Sequence, residues 1–103
     1  MKVYIGPHRK NRAVNVRIDK YDTWNLDHTL ALIILPALKQ FKKKLHGYPG
    51  DLSEKQWDDV LNKMIWSFEA VLDEKEGVDT IEENNRIQEG LELFGKYYRS
   101  LWD

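Results

Sequence analysis

Residues 26–41 form the most demanding segment of this chain. Read at 100° per residue, Leu26, Leu30, Ile33, Ala37 and Phe41 share one face, and Leu32 and Leu35 lie on roughly the opposite one. A helix that is apolar on nearly all sides must be covered on nearly all sides. The segment therefore predicts a central helix near residues 25–46, started by Asp22 or Asn25 and stopped at Gly47. Pro36 removes one backbone hydrogen bond within it and predicts a bend near Leu32. Beyond Pro36 the helix turns basic and one-sided, with Lys39, Lys42, Lys43 and Lys44 at the end where the macrodipole is negative.

Around that helix the pattern is α+β: an N-terminal antiparallel β-hairpin followed by three packed α-helices. In residues 1–19, Val3 and Ile5 alternate with Lys2 and Tyr4, and Val14, Val16 and Ile18 alternate with Asn15 and Arg17. Gly6-Pro7 breaks the first strand. A two-stranded hairpin is marginal alone, so its apolar face is expected on the helices or on another chain. The three-helix part spans 22–103, with later helices near 53–75 and 80–101. Ser53-Glu54-Lys55-Gln56 is a capping box with Leu52 and Trp57 as its staple, and Thr80-Ile81-Glu82-Glu83 is a second box. The second helix is expected to end before Gly77. Gly90 falls in the apolar sector of the third, where close approach of a neighbouring backbone would offset its helix cost of about 1 kcal/mol. The expected core contains Leu30, Ile33, Ala37, Phe41, Leu61, Met64, Phe68, Leu91, Phe94 and Tyr98.

At 103 residues the chain is one domain, 1–103. It has no cysteine, which excludes a disulfide scaffold, a thiolate zinc site and cysteine catalysis, and fits a reducing compartment. There is no signal peptide at its start and no run of about 20 apolar residues, so no membrane association is expected. The net charge of -1 conceals a split: residues 1–46 carry +7 and residues 47–103 carry -8. Such polarity either folds back within the chain or draws subunits together. An overall charge near zero also argues against broad nucleic-acid binding.

Candidate sites follow from charge and aromatic placement. The hairpin loop His8-Arg9-Lys10-Asn11-Arg12 concentrates positive charge, and Arg9, Lys10 and Arg12 are the candidate phosphate contacts. Tyr4 and Arg17 stand nearby on the strands, and Tyr4 or Trp24 could stack a base. The bland alternative is a solvated hairpin tip. No Gly-rich phosphate cradle occurs. Asp27 and His28 lie in the first turn of the central helix, Asp27 favoured there by the dipole and His28 read as a hydrogen-bonded core or interface group. His8, His28 and His46 have no metal-ligand spacing, and no cofactor is expected. Asp58, Asp59, Glu69, Asp73, Glu74 and Glu76 read as solvated helix surface, no nucleophile elbow occurs, and the chain reads as non-enzymatic. Trp66 points away from the apolar sector of its helix and calls for a second covered surface; with Tyr98 and Trp102 it is a candidate interface residue of a homo-oligomer.

Several stretches taken together carry a resemblance: Val3-Tyr4-Ile5-Gly6-Pro7, Asp22-Thr23-Trp24-Asn25-Leu26-Asp27-His28-Thr29-Leu30-Ala31, Leu35-Pro36-Ala37-Leu38-Lys39-Gln40 up to His46-Gly47, Trp57 through Glu69, and Leu93-Phe94-Gly95-Lys96-Tyr97-Tyr98 to Leu101-Trp102-Asp103. They cover most of the chain and resemble a family of small accessory proteins encoded by tailed bacteriophages. The chain is shorter than those relatives between Gly47 and Trp57, where they carry an acidic insertion. The resemblance implies a protein made in the bacterial cytoplasm during infection, with no activity to carry over to residues. In that setting the basic loop and the aromatics suit counter-defence by sequestering an anionic nucleotide signal of host immunity. The alternative is a protein-interaction module that inhibits a host or phage protein through an acidic and aromatic surface.

Overall fold

A computed structural model describes residues 1–44, 47–73 and 80–102. The order is β1 (Lys2–Ile5), β2 (Val14–Arg17), a 3-10 turn (Lys20–Thr23), α1 (Leu26–Lys43), α2 (Glu54–Leu72), α3 (Ile81–Tyr97) and a closing 3-10 turn (Tyr98–Ser100). The architecture is α+β, with an antiparallel hairpin ahead of three helices. The expected stops near 46, 75 and Gly77 lie outside the described residues, as do His46, Glu74 and Glu76.

Local signals act as chemistry requires. Ser53 Oγ accepts from the Gln56 amide at 3.2 Å and Gln56 Oε1 accepts from the Ser53 amide at 2.9 Å, which satisfies two donors that α2 would otherwise leave bare. Thr80 Oγ1 accepts from the Glu83 amide at 3.1 Å and starts α3. α1 is capped at Asn25 without a side-chain bond, and Asp22 instead accepts from the Asp19 amide at 2.8 Å to close the preceding turn. α1 runs through Pro36 unbroken; Leu32 and Pro36 are both exposed, so water can reach the carbonyl that proline leaves without a donor.

The central helix is α2, a correction to the expectation for α1. α2 packs on α1 along one side and on α3 along the other, whereas α1 meets only α2 and the Lys20–Thr23 turn among the described elements. The core joins Ala31 and Leu38 of α1, Trp57, Leu61, Met64 and Phe68 of α2, and Tyr97 of α3. Ile34, Leu35, Phe41, Leu91 and Phe94 pack against it half-buried. Leu61, Met64 and Phe68 are therefore core as expected. Leu30, Ile33 and Ala37 are not: Leu30 is 45% exposed, Ile33 40%, and Ala37 is exposed too. α1 presents its Ala31–Ile34–Leu38 sector to α2, about 100° round from the expected Leu30–Ile33–Ala37 one.

Tyr98 is the second correction. It is 61% exposed, and Tyr97 is the buried ring at 7%, held edge-on to Trp57 with centroids 5.6 Å apart. Its hydroxyl donates to Asp51 Oδ2 at 3.3 Å, so the buried phenol keeps a polar partner. Phe94 bridges the core and Tyr98 by edge contacts at 5.1 Å to Phe68 and 5.5 Å to Tyr98. Gly90 behaves as its position predicts, with a Cβ there falling 2.5 Å from the Lys63 carbonyl oxygen and colliding with Ser67 Oγ.

Candidate functional site

The hairpin is registered Lys2↔Arg17, Val3↔Val16, Tyr4↔Asn15 and Ile5↔Val14. Alternation puts Val3, Ile5, Val14, Val16 and Ile18 on one face and Lys2, Tyr4, Asn15 and Arg17 on the other. Among the described residues neither strand packs on a helix, and the five aliphatic side chains are between 40% and 63% exposed. The hairpin is an arm standing off the helices. The Cα radius of gyration is 15.5 Å, against about 13 Å for a compact chain of this length.

The arm is fixed at its root by charge. The Met1 amine lies 2.9 Å from Asp19 Oδ2 and 3.0 Å from Asp22 Oδ2. Tyr21 Oη donates to Asp19 Oδ2 at 3.1 Å, and Thr29 Oγ1 of α1 donates to the Asp22 carbonyl at 3.0 Å. These bonds hold the amine pKa above its ordinary value, through Asp19 and then Asp22, and hold the Asp19 carboxyl below its own, through the amine and then Tyr21. The Tyr21 hydroxyl is pushed up by the same Asp19 bond. At the other end, Gly6 N donates to the Ala13 carbonyl at 2.8 Å and Arg12 Nε to the Gly6 carbonyl at 2.8 Å, so Arg12 closes the neck of the loop.

The candidate ligand residues fall into three places. Tyr4 and Arg17 share the basic face with Lys2. Arg9 and Lys10 stand at the exposed tip, and Arg12 spends one donor on the neck. Trp24 lies at the root, exposed and edge-on to Tyr21 at 6.4 Å, the opposite end of the arm from Arg9 and Lys10. A cleft of about 550 Å³ bordered by Lys42, Lys43, Tyr48, Lys55 and Asp58 includes none of these candidate residues. Asp27 is exposed and His28 half-buried.

The charge split resolves into two parts. Lys39 pairs with Glu69 at 3.6 Å and Lys42 with Asp58 at 3.5 Å, so two of the four lysines at the basic end of α1 are matched within the chain by α2. Among the described residues Lys2, Arg9, Lys10, Arg12, Arg17 and Lys20 have no carboxylate partner. Trp66 finds its cover inside the chain: the Arg86 guanidinium of α3 sits 3.9 Å from its ring centroid. Tyr98 and Trp102 remain exposed at the far end of α3.

Leu26, Leu30 and Ile33 form a second uncovered aliphatic strip along α1. Sequence reasoning missed it by assigning the strip to the core; the uncommon breadth of the helix's apolar surface was its signal. No group of three metal-ligating side chains occurs among the described residues, and no helix there is long and apolar enough to cross a membrane. Comparison with protein-family models, curated proteins and solved structures finds no match for the chain.

Proposed function

We propose that this chain is a non-catalytic interaction protein, an accessory protein of a tailed bacteriophage working in the bacterial cytoplasm, whose arm and α1 strip are its surface for another protein. The observation that supports this reading most is the uncovered aliphatic face of Val3, Ile5, Val14, Val16 and Ile18. Monomeric proteins seldom leave a contiguous apolar patch of this kind in water unless it is a contact surface. Covering a half-exposed aliphatic side chain contributes on the order of 1 kcal/mol, so the arm and strip together offer several kcal/mol before ordering costs. The acidic surface is a weaker candidate, since Asp58 and Glu69 are engaged by α1 and Glu89 by Lys63.

The unpartnered cations favour a second reading, in which Lys2, Tyr4 and Arg17 with Arg9 and Lys10 hold an anionic nucleotide on the opposite face. One set of variants separates the two. With the chain immobilised, Val16→Glu should abolish retention of a partner protein, while Arg9→Glu with Lys10→Glu should leave it. Retention indifferent to Val16→Glu, together with calorimetric binding of cyclic di- or trinucleotides that Arg9→Glu and Lys10→Glu abolish, would overturn the interaction reading in favour of nucleotide capture.

A further inference from the structure

We infer that the partner for the aliphatic surface is a second copy of this chain, each copy laying the Val3, Ile5, Val14, Val16 and Ile18 face of its arm on the Leu26–Leu30–Ile33 strip of the other. This rests on the interaction reading above and names its partner. Both surfaces belong to one chain, and neither covers the other. The root explains why: the Met1 amine, Asp19, Asp22 and Thr29 tie the arm to the first turn of α1 by bonds of 2.9–3.0 Å, so the arm is held off its own helix.

The two surfaces match in length. From Val14 to Ile18 the strand strip runs about 13 Å at its usual rise per residue. From Leu26 to Ile33 the helical strip runs about 10 Å, and about 16 Å if Ala37 is included. No like charge opposes the contact: the cations Lys2 and Arg17 lie on the arm's other face, and α1 between Leu26 and Ala37 holds no lysine or arginine and one carboxylate, the exposed Asp27. Tyr21 and Trp24 add exposed rings at the root. Half of each aliphatic side chain plus these rings leaves on the order of 600 Å² per copy to be covered. Two copies would then bury about 1,200 Å², the lower edge of stable interfaces. A patch containing both an arm and its receptor strip is self-complementary, so exchange between two copies closes with two-fold symmetry and leaves no free strip. The cations of both arms then face outward together.

The absence of cysteine makes the test clean. Val16→Cys and Leu30→Cys are placed in separate chains, each at an exposed position, and oxidised alone and mixed. The unmodified chain should scatter as twice 12.2 kDa, and the mixture should form a Val16→Cys to Leu30→Cys disulfide that neither variant forms alone. Crosslinks only between like variants, or an intrachain crosslink when both cysteines are in one chain, would overturn the arrangement. A mass of 12.2 kDa at every concentration, with a foreign protein still retained through Val16, would overturn the second copy and leave the interaction reading standing. That mass with no retained protein would overturn both.

Discussion

Gly90 of α3 lies against Ser67 of α2 so closely that no side chain fits between the two helices. Ser67 is fully buried, and its hydroxyl donates to the Arg86 carbonyl at 3.3 Å, which keeps a polar group satisfied at this close crossing. Gly90→Ala should therefore destabilise the protein despite alanine's helix preference. Alanine gains about 1 kcal/mol in propensity. Forcing the helices apart typically costs 1–3 kcal/mol, and more where the obstacle is backbone, as Lys63 is here. Gly95→Ala, with nothing within 4 Å, should instead stabilise by about 0.5–1 kcal/mol. Urea denaturation of the pair gives opposite signs if the crossing is as described.

Adjacent tyrosines offer a second contrast. Tyr97→Ala removes the ring packed edge-on to Trp57 and should cost about 3 kcal/mol or more. Tyr98→Ala removes a mostly exposed ring and should cost less than about 1 kcal/mol. Equal losses in thermal unfolding would contradict the assignment of Tyr97 to the core.

Arm order should depend on pH through its root. Asp19 is held below its ordinary 3.8, so its contribution is complete above that value and fades as pH falls through the lowered one. The Met1 amine is held above its ordinary 8.0, so its contribution is complete below that value and fades as pH rises through the raised one. Exchange protection of the β1–β2 amides, corrected for the intrinsic pH dependence of exchange, should be greatest between 3.8 and 8.0 and fall on both sides. Protection unchanged by Asp19→Asn would show that these bonds do not order the arm.

Legibility in the sequence tracked the range of the interaction. The hairpin and the Ser53–Gln56 box were readable because a few neighbouring residues decide each of them, and the Gly90 approach because a glycine inside an apolar helical sector marks a close crossing whatever its partner. The face of α1 was not. Two sectors, Leu30–Ile33–Ala37 and Ala31–Ile34–Leu38, are similarly apolar, and periodicity cannot rank them. Partners on α2 decide: Lys39 and Lys42 reach Glu69 and Asp58 when the Ala31–Leu38 sector faces inward. The candidate ligand residues divide in the same way. Proximity in sequence grouped Arg9, Lys10 and Arg12, while strand register brings Lys2, Tyr4 and Arg17 to one face, and Trp24, just past the Lys20–Thr23 turn, lies at the other end of the arm.

The choice of α1 face supplies the last prediction. Ala31 is fully buried against α2, whereas its neighbour Leu30 is 45% exposed. Ala31→Leu should overpack that contact and cost about 1–3 kcal/mol, an effect independent of protein concentration because it acts within one chain. Leu30→Gln should leave the helical core intact, since it alters a side chain that no helix of its own chain covers. Its effect should appear in association instead. If a second copy covers Leu30, the melting temperature of the unmodified chain rises with concentration, because a partner that binds only the folded form stabilises it by mass action. Leu30→Gln should flatten that dependence and shift the scattering mass toward 12.2 kDa, while its melting temperature at high dilution matches that of the unmodified chain. A large loss at high dilution from Leu30→Gln, with Ala31→Leu tolerated, would mean that α1 turns its other face to α2.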